Sequence, residues 1–207
     1  MIKFILGNLI FNFKNISKNN FYIRLKEQTL ANKHPKSKIL VLGTGKNLIL
    51  KKEKILKFIE DNQPIVIACN NVLNDFNIDY RIFTNRSRFA NYSNLIKKNQ
   101  KIIISPYFKK KFIKKYINSL QYSYVYFKIN PKISSSFMIK KNIISFQKIP
   151  NVGFISILLA SIMGAENIYI AGLDGYSKSN INYYHEKDQH DLEYLINQEV
   201  YLKKLAN

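Results

Sequence analysis

From Lys38 onward the chain alternates short, almost uninterrupted apolar runs with longer segments of helical spacing, and few architectures accommodate that pattern. The runs fall at 39–42, 65–68, 80–84, 102–105, 124–127, 143–146 and 168–171. Between or after them, 51–61, 91–99, 109–120, 153–163 and 191–205 have the spacing and length of helices. Strands that are apolar on both faces need cover on both faces, which is what βαβ crossovers around a parallel sheet supply. The expected fold is therefore α/β: a Rossmann-like, mostly parallel sheet with helices on both faces. It forms one domain over 38–207, preceded by an N-terminal extension over 1–37. In that extension, clusters such as Phe4-Ile5-Leu6 and Leu9-Ile10-Phe11 alternate with Asn and Lys. It reads as helical or irregular, packed onto the domain or lying on a membrane surface as a short amphipathic helix. His34-Pro35 breaks the local pattern, because a residue before proline is pushed away from helix.

A chain of 207 residues, 46% of them hydrophobic, buries one substantial core. Its single cysteine, Cys69, lies in an apolar run and has no second cysteine to pair with, which points to a reducing, cytoplasmic setting. No apolar stretch reaches the roughly 18 residues that a bilayer span requires, and no cleavage signal follows the first apolar segment. The formal charge of +20 attracts phosphate backbones and anionic lipid alike. Of the basic residues, however, only Arg24, Arg81, Arg86 and Arg88 are arginine, the side chain that nucleic-acid readers favour for bidentate contacts. The excess of lysine, asparagine and isoleucine has the look of a genome-wide coding bias. The charge is read as a solvated basic surface, with peripheral contact to an anionic inner-membrane face as the second possibility and no nucleic-acid partner.

In open α/β sheets ligands bind outside the carboxyl ends of the strands, so the residues that follow each strand carry the functional argument. Gly43-Thr44-Gly45 follows the first strand and precedes a lysine-rich helix. Glycines there let backbone approach a phosphate, although a plain tight turn uses the same residues. Asn70 and Asn85 end the second and third strands, and their amides can read a base, ribose or sugar edge. Asn151 and Gly153 open an apolar helix directed at the same crevice. Asp174 ends the last strong strand, where it either holds a loop through backbone N–H groups or takes part in chemistry. Beyond it, the polar, aromatic loop 180–186, with Tyr183, Tyr184 and His185, is able to carry phosphate-binding hydroxyls and a general base. No carboxylate or histidine cluster suggests a metal, and metal-independent chemistry without a cofactor is expected.

The ordered set Gly43-Thr44-Gly45-Lys46-Asn47-Leu48, Ile67-Ala68-Cys69-Asn70-Asn71, Ile82 to Phe89, and Asn151 through Tyr176 resembles the bacterial sialyltransferases of glycosyltransferase family 42. It is also similar to the MptE-like DUF115 domains found beside surface-polysaccharide enzymes. The resemblance covers roughly residues 39 to 199. It implies that Gly43, Gly45, Asn70 and Asn85 hold the donor nucleotide, that Tyr176 and Tyr183 bind its phosphate, and that His185 acts as base on the acceptor hydroxyl. The implied ligands are a nucleotide-sugar, CMP-linked by analogy, and a glycan acceptor, in lipopolysaccharide or related surface-polysaccharide synthesis. The chain departs from the sialyltransferases at Thr44, at Lys46-Asn47, at Val152 and in a shorter stretch before His185. Two alternatives accompany the transferase reading: an accessory nucleotide-binding domain of the same pathway, and an MptE-like diphosphokinase using ATP and magnesium.

Overall fold

The computed structural model describes residues 4–6, 9–11, 30–105, 107–117, 122–124, 127–129, 137–140, 143–146 and 151–174. The main element is a six-stranded sheet made of β3 (Ser37–Leu42), β4 (Ile65–Cys69), β5 (Tyr80–Phe83), β6 (Lys101–Ile104), β7 (Tyr122–Tyr124) and β11 (Ala165–Ala171). Its order is β11-β3-β4-β5-β6-β7, and every neighbouring pair is parallel. The α/β, Rossmann-like expectation therefore holds.

The chain steps from β3 to β7 in one direction across the sheet and then returns to the far side of β3. Right-handed crossovers in one direction lay their helices on one face, and the reversal sends the last helix to the other. The packing follows this rule. Leu40, Leu42, Val66 and Ala68 meet Ile55, Leu56, Phe58 and Ile59 of α2 (Lys52–Asn62), which follows the one-turn α1 (Asn47–Leu50). On the same side, Phe83, Ile102 and Ile104 pack with α3 (Arg86–Tyr92) and α4 (Lys110–Tyr116). The opposite face, with Ile39, Val41, Ile67, Cys69, Tyr80, Ile82 and Ile103, is covered by α5 (Val152–Ile162). Phe154, Ile155, Leu158, Leu159 and Ala160 make α5 a buried crossover, and no charged residue interrupts it.

Local chemistry sets the element ends. α2 stops at Gln63, which adopts a left-handed conformation (φ 45°) before Pro64, a combination that cannot continue a helix. α3 begins where Asn85 accepts the backbone N–H groups of Ser87 and Arg88. The helix expected at 91–99 thus starts earlier, because the asparagine cap outweighs the later apolar spacing, and its second half is a 3-10 turn at Ser93–Leu95. The single strand expected near 124–127 is instead the end of β7 and, separately, β8 (Phe127–Ile129). β8 pairs parallel with β10 (Ile143–Phe146), which in turn pairs antiparallel with β9 (Phe137–Lys140). These three strands form a separate sheet of order β8-β10-β9. Phe146 of β10 reaches the main core beside Phe154, with ring centroids 5.9 Å apart.

The N-terminal stretch differs from a helical or irregular reading. β1 (Phe4–Leu6) and β2 (Leu9–Phe11) pair antiparallel, two aromatic and β-branched triplets separated in sequence by a Gly-Asn dipeptide of hairpin-forming type. Later in the same stretch, Leu30 is buried in the core. Asn32, His34 and Lys36 donate backbone hydrogen bonds to Ile162, Met163 and Gly164 at the end of α5. His34 Nε2 lies 2.7 Å from the Tyr80 hydroxyl.

Phe89 is the centre of the α3–α4 cluster. Its ring sits 5.3 to 6.0 Å from those of Phe83, Phe108, Phe112 and Tyr116, and it is fully buried. Phe89→Ala is expected to cost about 3–5 kcal/mol of unfolding free energy by urea titration. A second expectation concerns pH. Burial, with Lys101 and Lys33 nearby, lowers the pKa of His34 below its ordinary 6.5. The unfolded chain then binds the proton more readily, so stability falls as pH drops through about 6.5 toward the folded value. That slope should be absent in His34→Gln when melting is followed from pH 8 to pH 5.

Candidate functional site

The sequence-selected residues that fall among those described lie at one end of the main sheet, the carboxyl end. At β3 and β11 the two backbones approach so closely that glycine is required. A Cβ on Gly43 would strike the Gly172 carbonyl oxygen and the Leu173 side chain, and one on Gly153 would strike Leu173. A Cβ on Gly45 would strike the Asp174 carboxylate, with the Gly172 oxygen also at 2.8 Å. Gly172 itself has φ +69°, which a side chain disfavours. The Gly43 to Gly45 turn, the start of α5 and the end of β11 are therefore one packed unit, with Thr44 buried inside it at 8% exposure.

The N–H groups of Gly43, Gly45 and Asn47 have partners within this unit. Gly43 N–H donates to Ala171 O at 2.8 Å and Gly45 N–H to Gly172 O at 2.8 Å. Asn47 N–H donates to Asp174 Oδ2 at 2.7 Å. Asp174 thus places its carboxylate at the opening of α1, where a negative charge meets free backbone donors. Asn151 caps α5 in the same way, its Oδ1 accepting Phe154 N–H at 2.8 Å.

Two strands over, Asn70 and Asn85 end β4 and β5. Asn85 is exposed and its side-chain oxygen is held by the α3 cap. Asn70 has a left-handed backbone (φ 48°), and its Oδ1 is a buried oxygen with no hydrogen-bond partner. Such an acceptor is costly to leave unmade. The neighbour holding this loop is one the sequence reading did not select. Arg81 on β5 is fully buried and donates from Nη1 to Asn70 O at 2.7 Å and Val72 O at 2.8 Å. Its Nη2 reaches Asn74 Oδ1 at 2.8 Å and its Nε reaches Gln100 Oε1 at 3.3 Å. A single guanidinium thereby fixes the whole turn after β4. The signal was present as a lone charge inside the apolar run Tyr80-Arg81-Ile82-Phe83, since a buried charge must be hydrogen-bonded to persist.

Beneath this turn Cys69 is buried, its Sγ 3.4 Å from Ser156 Oγ. Desolvation pushes its thiol up to about 11, so it is not a nucleophile at neutral pH. A cavity of about 380 Å³ opens beside the glycine unit, between α2 and the outer edge of β11, with Asn47, Lys51, Lys54, Phe58, Tyr169 and Asp174 in its lining. It adjoins the glycine turn without including Asn70 or Asn85. Tyr176, Tyr183 and His185 lie outside the described residues, as does the helix expected at 191–205. Among the described residues no group of three or more His, Cys, Asp or Glu side chains converges, and no helix is long and apolar enough to cross a membrane. No family model, curated protein or solved structure matches the chain.

The contact between Gly45 and Asp174 can be weighed by a double-mutant cycle. Gly45→Ala is expected to destabilise by about 1–3 kcal/mol through overpacking, and Asp174→Ala by about 0.5–2 kcal/mol through loss of the cap. Together they should cost less than the sum, because removing the carboxylate clears one of the two obstructions to the new methyl. Strict additivity in urea unfolding would mean that the two residues do not share this space.

Proposed function

We propose that the chain binds a nucleotide-sugar across the carboxyl ends of β3, β4 and β5 and passes its sugar to a glycan acceptor in surface-polysaccharide synthesis, at the cytoplasmic side of the membrane. The observation that carries the binding half is Asn70: a partly exposed residue at the end of β4, its backbone carbonyl held by buried Arg81 and its side-chain oxygen without a hydrogen-bond partner, which a rotation of the side chain would offer to a ribose hydroxyl or a base amine. Asn85, two residues past the end of the adjacent strand β5, extends the same edge. The transfer half rests on the resemblance to sialyltransferases of glycosyltransferase family 42. On that reading Tyr176 and Tyr183 receive the departing phosphate and His185 takes the acceptor's proton, an arrangement that needs no metal.

A second reading is favoured by the glycine turn. Its donors at Gly43, Gly45 and Asn47 already bond within the chain, and Asp174 stands where an anion would be expected. A phosphate then has less to gain there, which suits a domain that binds a nucleotide without turning it over. The MptE-like diphosphokinase reading differs from both in requiring ATP with magnesium.

A thermal-shift screen against CMP, CMP-sialic acid, UDP, GDP and ATP, each with and without magnesium, separates these readings. At about 100 times the dissociation constant a ligand adds about 2.7 kcal/mol, which is on the order of 5–10 °C for a chain of this length. A metal-independent shift with CMP or its sugar is expected, reduced at least tenfold in affinity by Asn70→Ala. A shift confined to magnesium-ATP would replace the transferase reading, and no shift with any nucleotide would end it. Donor hydrolysis lost in His185→Ala, with binding intact, distinguishes transferase from accessory domain.

A further inference from the structure

We infer that the carboxyl rim of the sheet, on the face carrying α2 and α4, is a docking surface for anionic phospholipid bilayers. Ile49 and Leu50 are its apolar contact, and the lysines that open α2 and α4 are its electrostatic one. Leu50 is 78% exposed and Ile49 39%, whereas their neighbour Leu48 is fully buried and anchors α1 to the core. The turn thus presents two aliphatic side chains outward from a fixed base. Lys46, Lys51 and Lys54 stand exposed around them. At the start of α4, Lys109, Lys110 and Lys111 are exposed as well. Both groups belong to one rim because α2 and α4 each follow a parallel strand and lie on the same face of the sheet, about 15 Å apart across three strand spacings.

These lysines gain nothing from the helices they open. A helix start favours acidic side chains, yet the first turns of α1, α3 and α4 contain none and that of α2 has Glu53 alone, set between Lys52 and Lys54. A coding bias accounts for the number of lysines but not for an exposed leucine set among them. Aliphatic side chains ringed by lysine match a bilayer interface, where headgroup charge and acyl boundary are met together. A nucleic acid would be better met by arginine and exposed aromatic rings, and Arg86 on this rim lies over the Phe112 ring, 4.4 Å from its centroid. Docking here brings Asn47 and Asp174, and with them the glycine unit, toward the headgroups. That orientation suits a lipid-linked acceptor, a step that rests on the proposed transferase reading. The docking does not, so vesicle binding and nucleotide binding can fail independently.

The test uses the whole chain. It contains no tryptophan, so Leu50→Trp introduces a single reporter. Phosphatidylcholine vesicles with phosphatidylglycerol are expected to sediment the protein in a salt-sensitive manner, while phosphatidylcholine alone does not. The indole fluorescence of the Leu50→Trp variant should shift to the blue on mixing and be quenched by brominated acyl chains. Each replacement among Lys51, Lys54, Lys110 and Lys111 by Gln should weaken partitioning about fivefold, with unchanged melting temperature. Lys97→Gln and Lys98→Gln, exposed at the opposite rim, serve as the control. Equal weakening by the control pair, or fluorescence unchanged by vesicles, would overturn the proposal. So would an oligonucleotide that displaces the vesicles and binds Leu50→Asp as well as the parent protein.

Discussion

The structure depends on a place where two backbones meet with no room for a side chain. At the carboxyl ends of β3 and β11, Gly43 and Gly172 sit back to back, and Gly45 leaves the space that the Asp174 carboxylate fills. This contact joins the first and last strands of the parallel sheet along a six-residue register. It also draws in the start of α5 through Gly153 and Leu173. Any Cβ at Gly43 or Gly45 would push apart elements whose donors and acceptors are matched across the gap.

A second constraint acts two strands away, through charge rather than size. Arg81 is a cation with no access to water, and it is tolerated because carbonyl and amide oxygens of the turn after β4 surround its guanidinium. The same bonds shape that turn, hold Asn70 in its left-handed conformation and leave its side-chain oxygen waiting for a donor. On the proposed nucleotide-binding reading, this rigid support would keep a ligand contact ready, since the ordering cost is met on folding rather than on binding.

How much of this was legible depended on whether the determining signal was local. The strands at 39–42, 65–68 and 80–84 could be read because their apolar runs report burial on both faces, and α5 because nothing charged interrupts it. α3 was displaced because one side chain, Asn85, sets its start and spacing alone does not reveal a cap. β7 and β8 read as one strand because periodicity does not say that the chain leaves one sheet for another between them. The placement of Gly43, Asn70 and Asp174 at the carboxyl ends of strands was legible from the apolar runs that precede them. Their partners were not: that Asp174 would meet Asn47, or that Gly45 would be small for the sake of a carboxylate, depends on residues more than half the chain apart. Arg81 was visible as an anomaly, but its meaning needed the turn it binds.

The winding of the sheet has a consequence in time. Strands β4 through β7 each pair with the strand just before them in sequence, so this part can assemble as the chain emerges from the ribosome. Among the described strands, the one that completes the glycine unit comes last and returns to the far side of β3, closing a longer loop than any between consecutive strands from β3 to β7. Until then β3, destined for the interior of the sheet, is an open edge. A nascent chain ending before β11 would therefore have a largely built scaffold and a sticky β3 flank but no glycine unit, which makes that strand the guard against misassembly.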